Sequence, residues 1–428
     1  MTRRIATIAL IAVLVTSLLP AYTSGGTMQA AQAQEAGSVR IDAAGASFAF
    51  PLMDLWRVKY AETNPHVALN YQSIGSGGGV KQHIEKTVNF AASDAPLKDS
   101  EYERAPGSIT IPEMIGAISL VYNLPGVDAG LKLTGDALCG IYLGEIKKWN
   151  DPEIAGHNPG VDLPDDSIFV AQRSDGSGTT FAFTSYLAKV CPEWEEKVGA
   201  GKSVQWPAGR GAPGNEGVAG LIKTTEGAIG YITLAYAFQE GMTAAAVQNG
   251  DKTNFVMPTP DSASDASGGA APTLPEAHES WRGVDLLAAP GENSYPITSF
   301  SYLIIHPDLD GSARNYDHAK EIANLIAWII TDGQQYSEDL LYVPISAPVQ
   351  NIGLEGLSKI TYQGQPVYSG PTSVAVAAEE SEMPDSGEEL IPSWVKTLFG
   401  FYAEGVISDA ELISALQFLI QDGIIIVE

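Results

Sequence analysis

From about Ser38 onward, the apolar positions alternate between two periods. Val39 to Ile41 reads as a strand, and Leu52, Leu55, Trp56 and Tyr60 then share one helical face at i, i+3, i+4 and i+8. Val67 to Tyr71 alternates as a second strand. A helix carrying Val80, Ile84 and Val88 follows, and Asn89 to Ala92 predicts a short strand ending at Ser93-Asp94-Ala95-Pro96. Ile115 to Val121 opens a second run of the same kind. Ile168 to Ala171 predicts a strand, Phe183, Leu187 and Val190 mark the helix after it, and Gly227 to Tyr231 is a strand where backbones approach closely. Pro258 to Ala271, rich in Pro, Ser, Asp, Ala and Gly, reads as a surface loop. Pro296 to His306 predicts a strongly apolar strand, and Ile322 to Ile330 a buried helix. The rhythm predicts an α/β fold with a mostly parallel sheet, helices on both faces, and ligand positions at the carboxyl ends of strands.

The two ends of the chain break this pattern. Arg3 and Arg4 precede an apolar run from Ile5 to Leu19, and Ala31-Gln32-Ala33 offers a small-x-small cleavage site. Residues 1–33 therefore read as an export signal, since a run of about fifteen residues falls short of a membrane span. Residues 376–390, with Glu379, Glu380, Glu382, Asp385, Glu388 and Glu389, read as a disordered acidic linker. Residues 391–428 read as a small helical unit. Trp394, Val395, Leu398 and Phe399 share a face, and Ser408-Asp409-Ala410-Glu411 is a capping box opening a second helix. A pair of helices this short buries too little apolar surface to stand alone, so it is expected to dock on the main body, on a second copy or on a cell-surface partner.

Composition narrows the functions. The 428-residue chain is long enough for two or three domains, and its net charge of −27 disfavours nucleic acid and anionic membranes. An exported chain with only Cys139 and Cys191 is compatible with one disulfide or with two buried thiols. Two cysteines without histidine partners make a poor zinc site, and the six histidines (His66, His83, His157, His278, His306 and His318) show no ligand spacing, so neither metal nor cofactor is expected.

Candidate chemistry gathers where strands meet helices. Ser47-Phe48, Gly75-Ser76-Gly77 and Arg173-Ser174-Asp175-Gly176-Ser177-Gly178-Thr179 each precede a helical pattern. The free N–H groups and positive dipole end of such a mouth suit an oxyanion. Ser47, Ser76, Ser177 and Thr179 supply hydroxyls, and the N–H groups of Phe48, Gly178 and Thr179 add donors without net charge. Arg173 supplies a planar fork that Asp175 is placed to orient and to neutralise. For any single serine, helix capping alone is the simpler account. Recurrence at three mouths, together with Arg173, favours a ligand. Asp94 is the pointed feature. A carboxylate facing an anion is unfavourable unless the anion shares a proton, as phosphate does near neutrality and sulfate does not. Read from spacing alone, Asp94 as a cap of the turn before Pro96 is the simpler account.

Catalytic patterns fail. Asp175 stands where a nucleophile elbow around Ser177 needs glycine, and Val80 and Gln82 break the phosphate-binding loop pattern in residues 75–82. An enzyme is therefore not expected.

Several segments together resemble the phosphate-binding proteins of high-affinity phosphate ABC importers. They are GASFAFP (45–51), YQSIGSGGGVKQ (71–82), FAASDAPL (90–97), YLGEIKKWNDPEIAGHNPG (142–160), RSDGSGTTFAFTSYLAKV (173–190), GAIGYI (227–232) and YPITSFSYLIIH (295–306). The resemblance covers about Ile41 to Gly370. It implies a two-lobed, type II-like periplasmic-binding-protein fold with a double-strand hinge, one lobe holding 40–113 and 299–375 and the other 114–298. The C-terminal helical module lies outside it and resembles short modules appended to exported archaeal proteins. The resemblance further implies inorganic phosphate as ligand, a membrane permease as partner, and an extracellular, cell-surface or periplasm-like location. It places ligand contacts on Ser47, Phe48, Ser76, Asp94, Arg173, Ser177, Gly178 and Thr179, supported by Asp175, Gly75 and Gly77. Ser47 stands where the family often has threonine, and Gly77 where it often has a second serine. A cell-surface scaffold or adhesion protein on the same fold, and a phosphoester-acting enzyme, are the alternative readings.

Overall fold

The computed structural model describes residues 39–268 and 274–374. The expected signal, acidic linker and C-terminal helices lie outside these residues.

Strand β1 (Val39–Gly45), helix α1 (Phe50–Thr63), strand β2 (Val67–Ser73), helix α2 (Ser76–Ile84) and strand β3 (Phe90–Ser93) follow in chain order. The i, i+4 and i+8 positions of α1 legible in the sequence are its buried face: Leu52, Trp56 and Tyr60, with Met53 beside them. Helix α2 stops earlier than its apolar period suggests. Lys86 adopts a positive φ of 56°, so Val88 is buried beyond the helix rather than on it. Both β2 and β3 pair parallel with β1, and each strand delivers its C-terminal end to one edge of the sheet.

Strand β4 (Ile109–Asn123) is fifteen residues long and buried at all but its last position. It starts six residues before the run expected from the sequence. Strand β5 (Phe169–Arg173), helix α3 (Gly178–Val190), strand β6 (Arg210–Ala212), helix α4 (Gly214–Lys223) and strand β7 (Ala228–Thr233) come next, and strand β8 (Thr298–Ile305) and helix α5 (Tyr316–Ile330) complete the frame. The strand order is β2-β1-β3-β8-β4-β7-β5-β6.

The sheet is mixed, which corrects the expectation of a mostly parallel one. Its outer pairs are parallel (β1 with β2 and β3, β5 with β6 and β7), but β8 runs antiparallel to both β3 and β4, and β4 runs antiparallel to β7. The first part of β4, Ile109–Ala117, pairs with β8, and the remainder, Ile118–Asn123, pairs with β7. One strand thus serves both halves of the sheet. A strand buried on both faces carries no alternation that reports the direction of its neighbours, and the partner of its first part lies far along the chain.

Residues 258–271 are not simply a loop, because Pro260–Ser267 is helical. The Thr259 hydroxyl accepts from Ser262 N–H (3.1 Å), Ser262 Oγ accepts from Thr259 N–H (3.0 Å), and Pro260 sits in the first turn. This reciprocal cap nucleates a helix from residues whose composition alone suggests a turn.

Cys139, on a helix spanning Gly135–Leu143, is bonded to Cys191, which follows α3. The disulfide closes a loop of 52 residues, for which chain entropy gives about 4 kcal/mol. A Cys139→Ala/Cys191→Ala double variant should therefore lose about 2–4 kcal/mol in urea unfolding. An unchanged unfolding midpoint would show that packing alone holds this region.

Candidate functional site

Each anion mouth expected from the sequence sits at the C-terminal end of a strand. Ser47 and Phe48 lie between β1 and α1, Ser76 opens α2, Asp94 follows β3, and Arg173 to Thr179 connect β5 to α3. Ser47, Phe48, Ser76, Asp94, Arg173, Ser177 and Thr179 are all nearly or fully buried. Direct hydrogen bonds gather most of them into one cluster.

The Ser76 hydroxyl is a junction. It accepts from the N–H groups of Gly178 (3.1 Å) and Asp94 (3.2 Å), and its proton points toward Asp94 Oδ2 (3.4 Å). This packing requires glycine at 178, where a Cβ would meet both Asp94 Oδ2 and Ser76 Oγ at 2.5 Å. Gly75 has a φ of 79°, and a Cβ there would strike the Asp175 carboxylate. Gly77 N–H donates to Gly176 O (2.7 Å), so the mouths of α2 and α3 touch along their backbones.

Arg173 and Asp175 form a bidentate pair. Nε donates to Oδ1 (2.8 Å) and an Nη to Oδ2 (2.6 Å), with the guanidinium almost fully buried. The other Nη reaches Thr179 Oγ1 at 3.5 Å. Burial works against the Asp175 carboxylate. The hydrogen bond and charge of Arg173, with Gly214 N–H, nevertheless hold it below the usual carboxylate range. Ser177 caps α3, its Oγ accepting from Thr180 N–H (3.1 Å). The capping account of Ser177 is therefore correct as far as it goes, and leaves its hydroxyl proton free to donate.

Asp94 is 2% exposed. Burial pushes its carboxyl up to about 7, against hydrogen bonds from Ser301 and Ser76, the Thr179 N–H and the charge of Arg173. It is not a turn cap: the Ser93 hydroxyl serves the turn instead, accepting from Ala95 N–H (3.2 Å) and donating to Ala95 O (2.6 Å).

Three participants escaped the sequence reading. Asn215, in the first turn of α4, is fully buried and joins the mouths. Its Nδ2 donates to Ser47 Oγ (3.0 Å) and Thr179 Oγ1 (3.2 Å), its N–H donates to Ser47 Oγ (3.1 Å), and its Oδ1 accepts from Thr233 N–H (3.0 Å). The signal was Pro213-Gly214 ahead of an apolar helix, a fourth mouth of the same kind. Ser301 on β8 donates toward Asp94 Oδ1 (3.0 Å), and Glu113 on β4 lies behind it. The single carboxyl within β4 was the available sign of Glu113, whereas Ser301 is not set apart from Thr298 and Ser299 on the same strand. Phe48 carries its role in its backbone, with its carbonyl accepting from Tyr342 OH (2.5 Å). Among the described residues, no group of acidic, histidine or cysteine side chains is arranged to hold a metal ion.

The cluster can meet a small tetrahedral oxyanion with hydroxyls, backbone N–H groups and one guanidinium, and can accept one proton from it at Asp94.

Comparison with known proteins bears on the same region. The pattern described as "PBP superfamily domain" matches residues 29–332. The chain is 40% identical over 319 residues to "Phosphate-binding protein PstS" of Xylella fastidiosa strain Temecula1, spanning 73% of this chain and 83% of that one. It is 34% identical over 352 residues to the protein of the same name from Methanocaldococcus jannaschii, spanning 78% and 90%. Among solved structures, a phosphate-binding protein from Stenotrophomonas maltophilia matches with a TM-score of 0.57 at 18% identity, covering 73% of this chain and 92% of that one. That likeness speaks for the fold.

Replacing Asn215 by Ala orphans Thr233 N–H in a buried setting and should cost about 1–3 kcal/mol. The urea midpoint of the Asn215→Ala variant measures this. A loss below about 0.5 kcal/mol would show that neighbouring groups repair the gap.

Proposed function

Because the chain belongs to the family of PstS phosphate-binding proteins within the PBP superfamily, we propose that it is the receptor that captures inorganic phosphate and delivers it to an ABC permease for import. The observation that carries this reading is a buried, proton-accepting carboxylate at the centre of an anion-binding cluster. Asp94 is surrounded by Ser76, Gly178, Thr179 and Arg173, all groups that attract anions. Phosphate still carries a proton for Asp94 to accept, and sulfate does not.

We assign the ligand contacts to Ser47, the Phe48 backbone, Ser76, Asp94, Arg173, Ser177, Gly178 and Thr179, and supporting roles to Asp175, Gly75 and Gly77. The lobes would hold 40–113 with 299–375, and 114–298, closing on the ion about the β4–β8 crossing. Placement of the contributing mouths supports this division. Ser47, Ser76 and Asp94 follow strands β1 to β3, whereas Arg173 to Thr179 and Asn215 follow β5 and β6. Helix-end dipoles and hydroxyls bind without net charge, which lets a chain of charge −27 take up an anion.

No helix among the described residues is long and apolar enough to cross a membrane. The reading of residues 1–33 as an export signal supports a receptor working outside the cytoplasm. The relatives are named as binding proteins, so the reading is of transport rather than catalysis. Residues 391–428 are assigned as a docking module for a cell-surface partner.

Micromolar or tighter binding requires about −8 kcal/mol. Several charge-assisted hydrogen bonds of about 1.5–3 kcal/mol each meet this after the cost of closure. Isothermal titration should give strong heats with phosphate, weaker ones with arsenate, and none with sulfate at matched concentration. Absence of phosphate heat, or equal binding of sulfate, sinks the reading. Asp94→Asn should lower the phosphate-to-sulfate affinity ratio by about tenfold or more, since each tenfold is about 1.4 kcal/mol of discrimination. An unchanged ratio would remove Asp94 from the selectivity mechanism.

A further inference from the structure

Behind Asp94 lies a second carboxyl that the binding role does not use. Glu113 on β4 is fully buried. Its Oε1 lies 2.8 Å from the Ser301 hydroxyl, which lies 3.0 Å from Asp94 Oδ1. Among the described residues, Glu113 Oε2 has no hydrogen-bond partner.

Ser301 has one proton and two carboxyl neighbours. It cannot donate to both, so one of the contacts must run the other way, from a protonated carboxyl into Ser301 Oγ. The surroundings decide which. Asp94 has donors from Ser76, Ser301 and the Thr179 N–H and faces the charge of Arg173, all of which favour its anion. Glu113 has Ser301 alone, an unpartnered oxygen and the negative Asp94 beyond. A buried carboxylate so poorly served is costly, whereas a neutral acid there is tolerable.

We propose that Glu113 is a positioning residue for ligand recognition: it keeps one proton, donates it to Ser301 Oγ, and so directs the Ser301 proton onto Asp94 Oδ1, leaving Asp94 Oδ2 as the acceptor for the proton on bound phosphate. The arrangement rests on the phosphate reading above and adds an alkaline limit to it. Burial, opposed by the Ser301 hydrogen bond and reinforced by the Asp94 charge, pushes the Glu113 carboxyl up to about 8. Once it ionises, Ser301 is contested by two anions and a second negative charge stands behind the ligand.

The other titratable groups facing this pair do not change charge in the same range. Tyr71 on β2, Tyr236, Tyr302 on β8 and Tyr342 are all pushed up by burial and stay neutral. Arg173 remains paired with Asp175. Phosphate itself still loses part of its second proton in this range, but that change is common to the intact protein and to Glu113→Gln and cancels when the two are compared.

The test is phosphate affinity by titration calorimetry at about pH 7.5 and about pH 9.5, the window in which a group near 8 loses its proton. The intact protein should weaken by about tenfold or more across this window, and Glu113→Gln, whose amide donates at every pH, should weaken by at least about threefold less. Parallel profiles for the two proteins overturn the proposal while leaving the phosphate reading intact. Absence of phosphate heat at either pH overturns both. Infrared spectroscopy of the intact protein near pH 7.5 supplies a second measurement that does not depend on the variant folding. A protonated-carboxyl stretch that disappears on raising the pH is expected, and its absence overturns the proposal.

Discussion

A carboxyl shut away from water is among the most costly groups for a protein to ionise, and the centre of this molecule is organised around one. Asp94 survives as a useful group because hydroxyls, a backbone N–H and a guanidinium converge on it from separate elements. Each of those donors needs its own support. Ser76 is placed by the turn at Gly75, Thr179 by the Ser177 cap of α3, and Arg173 by the two oxygens of Asp175. The contacts that stabilise the carboxylate are the same ones that recognise an oxyanion, so folding and binding draw on one set of groups.

The sheet explains how those groups come together. Parallel β-α units aim their strand ends at a common edge, and two such arrays are joined through the antiparallel strands β4 and β8. Glu113 and Ser301 sit on these two joining strands, so the proposed proton relay occupies the place where the arrays meet. In a two-lobed receptor, that is also where closure would be felt.

Much of this was legible in the sequence, and the residues show why. Amphipathic α1 rests on local periodicity and the mouths at Ser47, Ser76 and Ser177 on short Ser- and Gly-containing turns, which a single chain displays directly, although only Ser177 caps its helix. The phosphate assignment came through resemblance, because an anion mouth alone does not tell phosphate from sulfate. What stayed hidden was non-local. The direction of β8 depends on a partner strand remote in sequence, and Asn215 gains its meaning only when α4 is brought against Ser47 and Thr179. Glu113 lies in a part of β4 that its pattern did not reveal, and the sequence reading started that strand two residues after it. The helix at Pro260–Ser267 was missed for a different reason: two capping hydrogen bonds outweighed a turn-like composition.

The bidentate pairing of Arg173 with Asp175 has a consequence for the medium in which the protein works. With its one guanidinium neutralised at contact range and Asp94 left as a further carboxyl, the site carries no excess positive charge and therefore no long-range attractive field of its own. Attraction is confined to dipoles and hydrogen bonds that act within a few ångströms, well inside a Debye length of about 8 Å at physiological ionic strength. Dissolved salt leaves those forces largely untouched, while it screens the repulsion between an incoming anion and the acidic surface. Capture in this design is thus compatible with a brine, where a receptor that relied on exposed positive charge would be silenced.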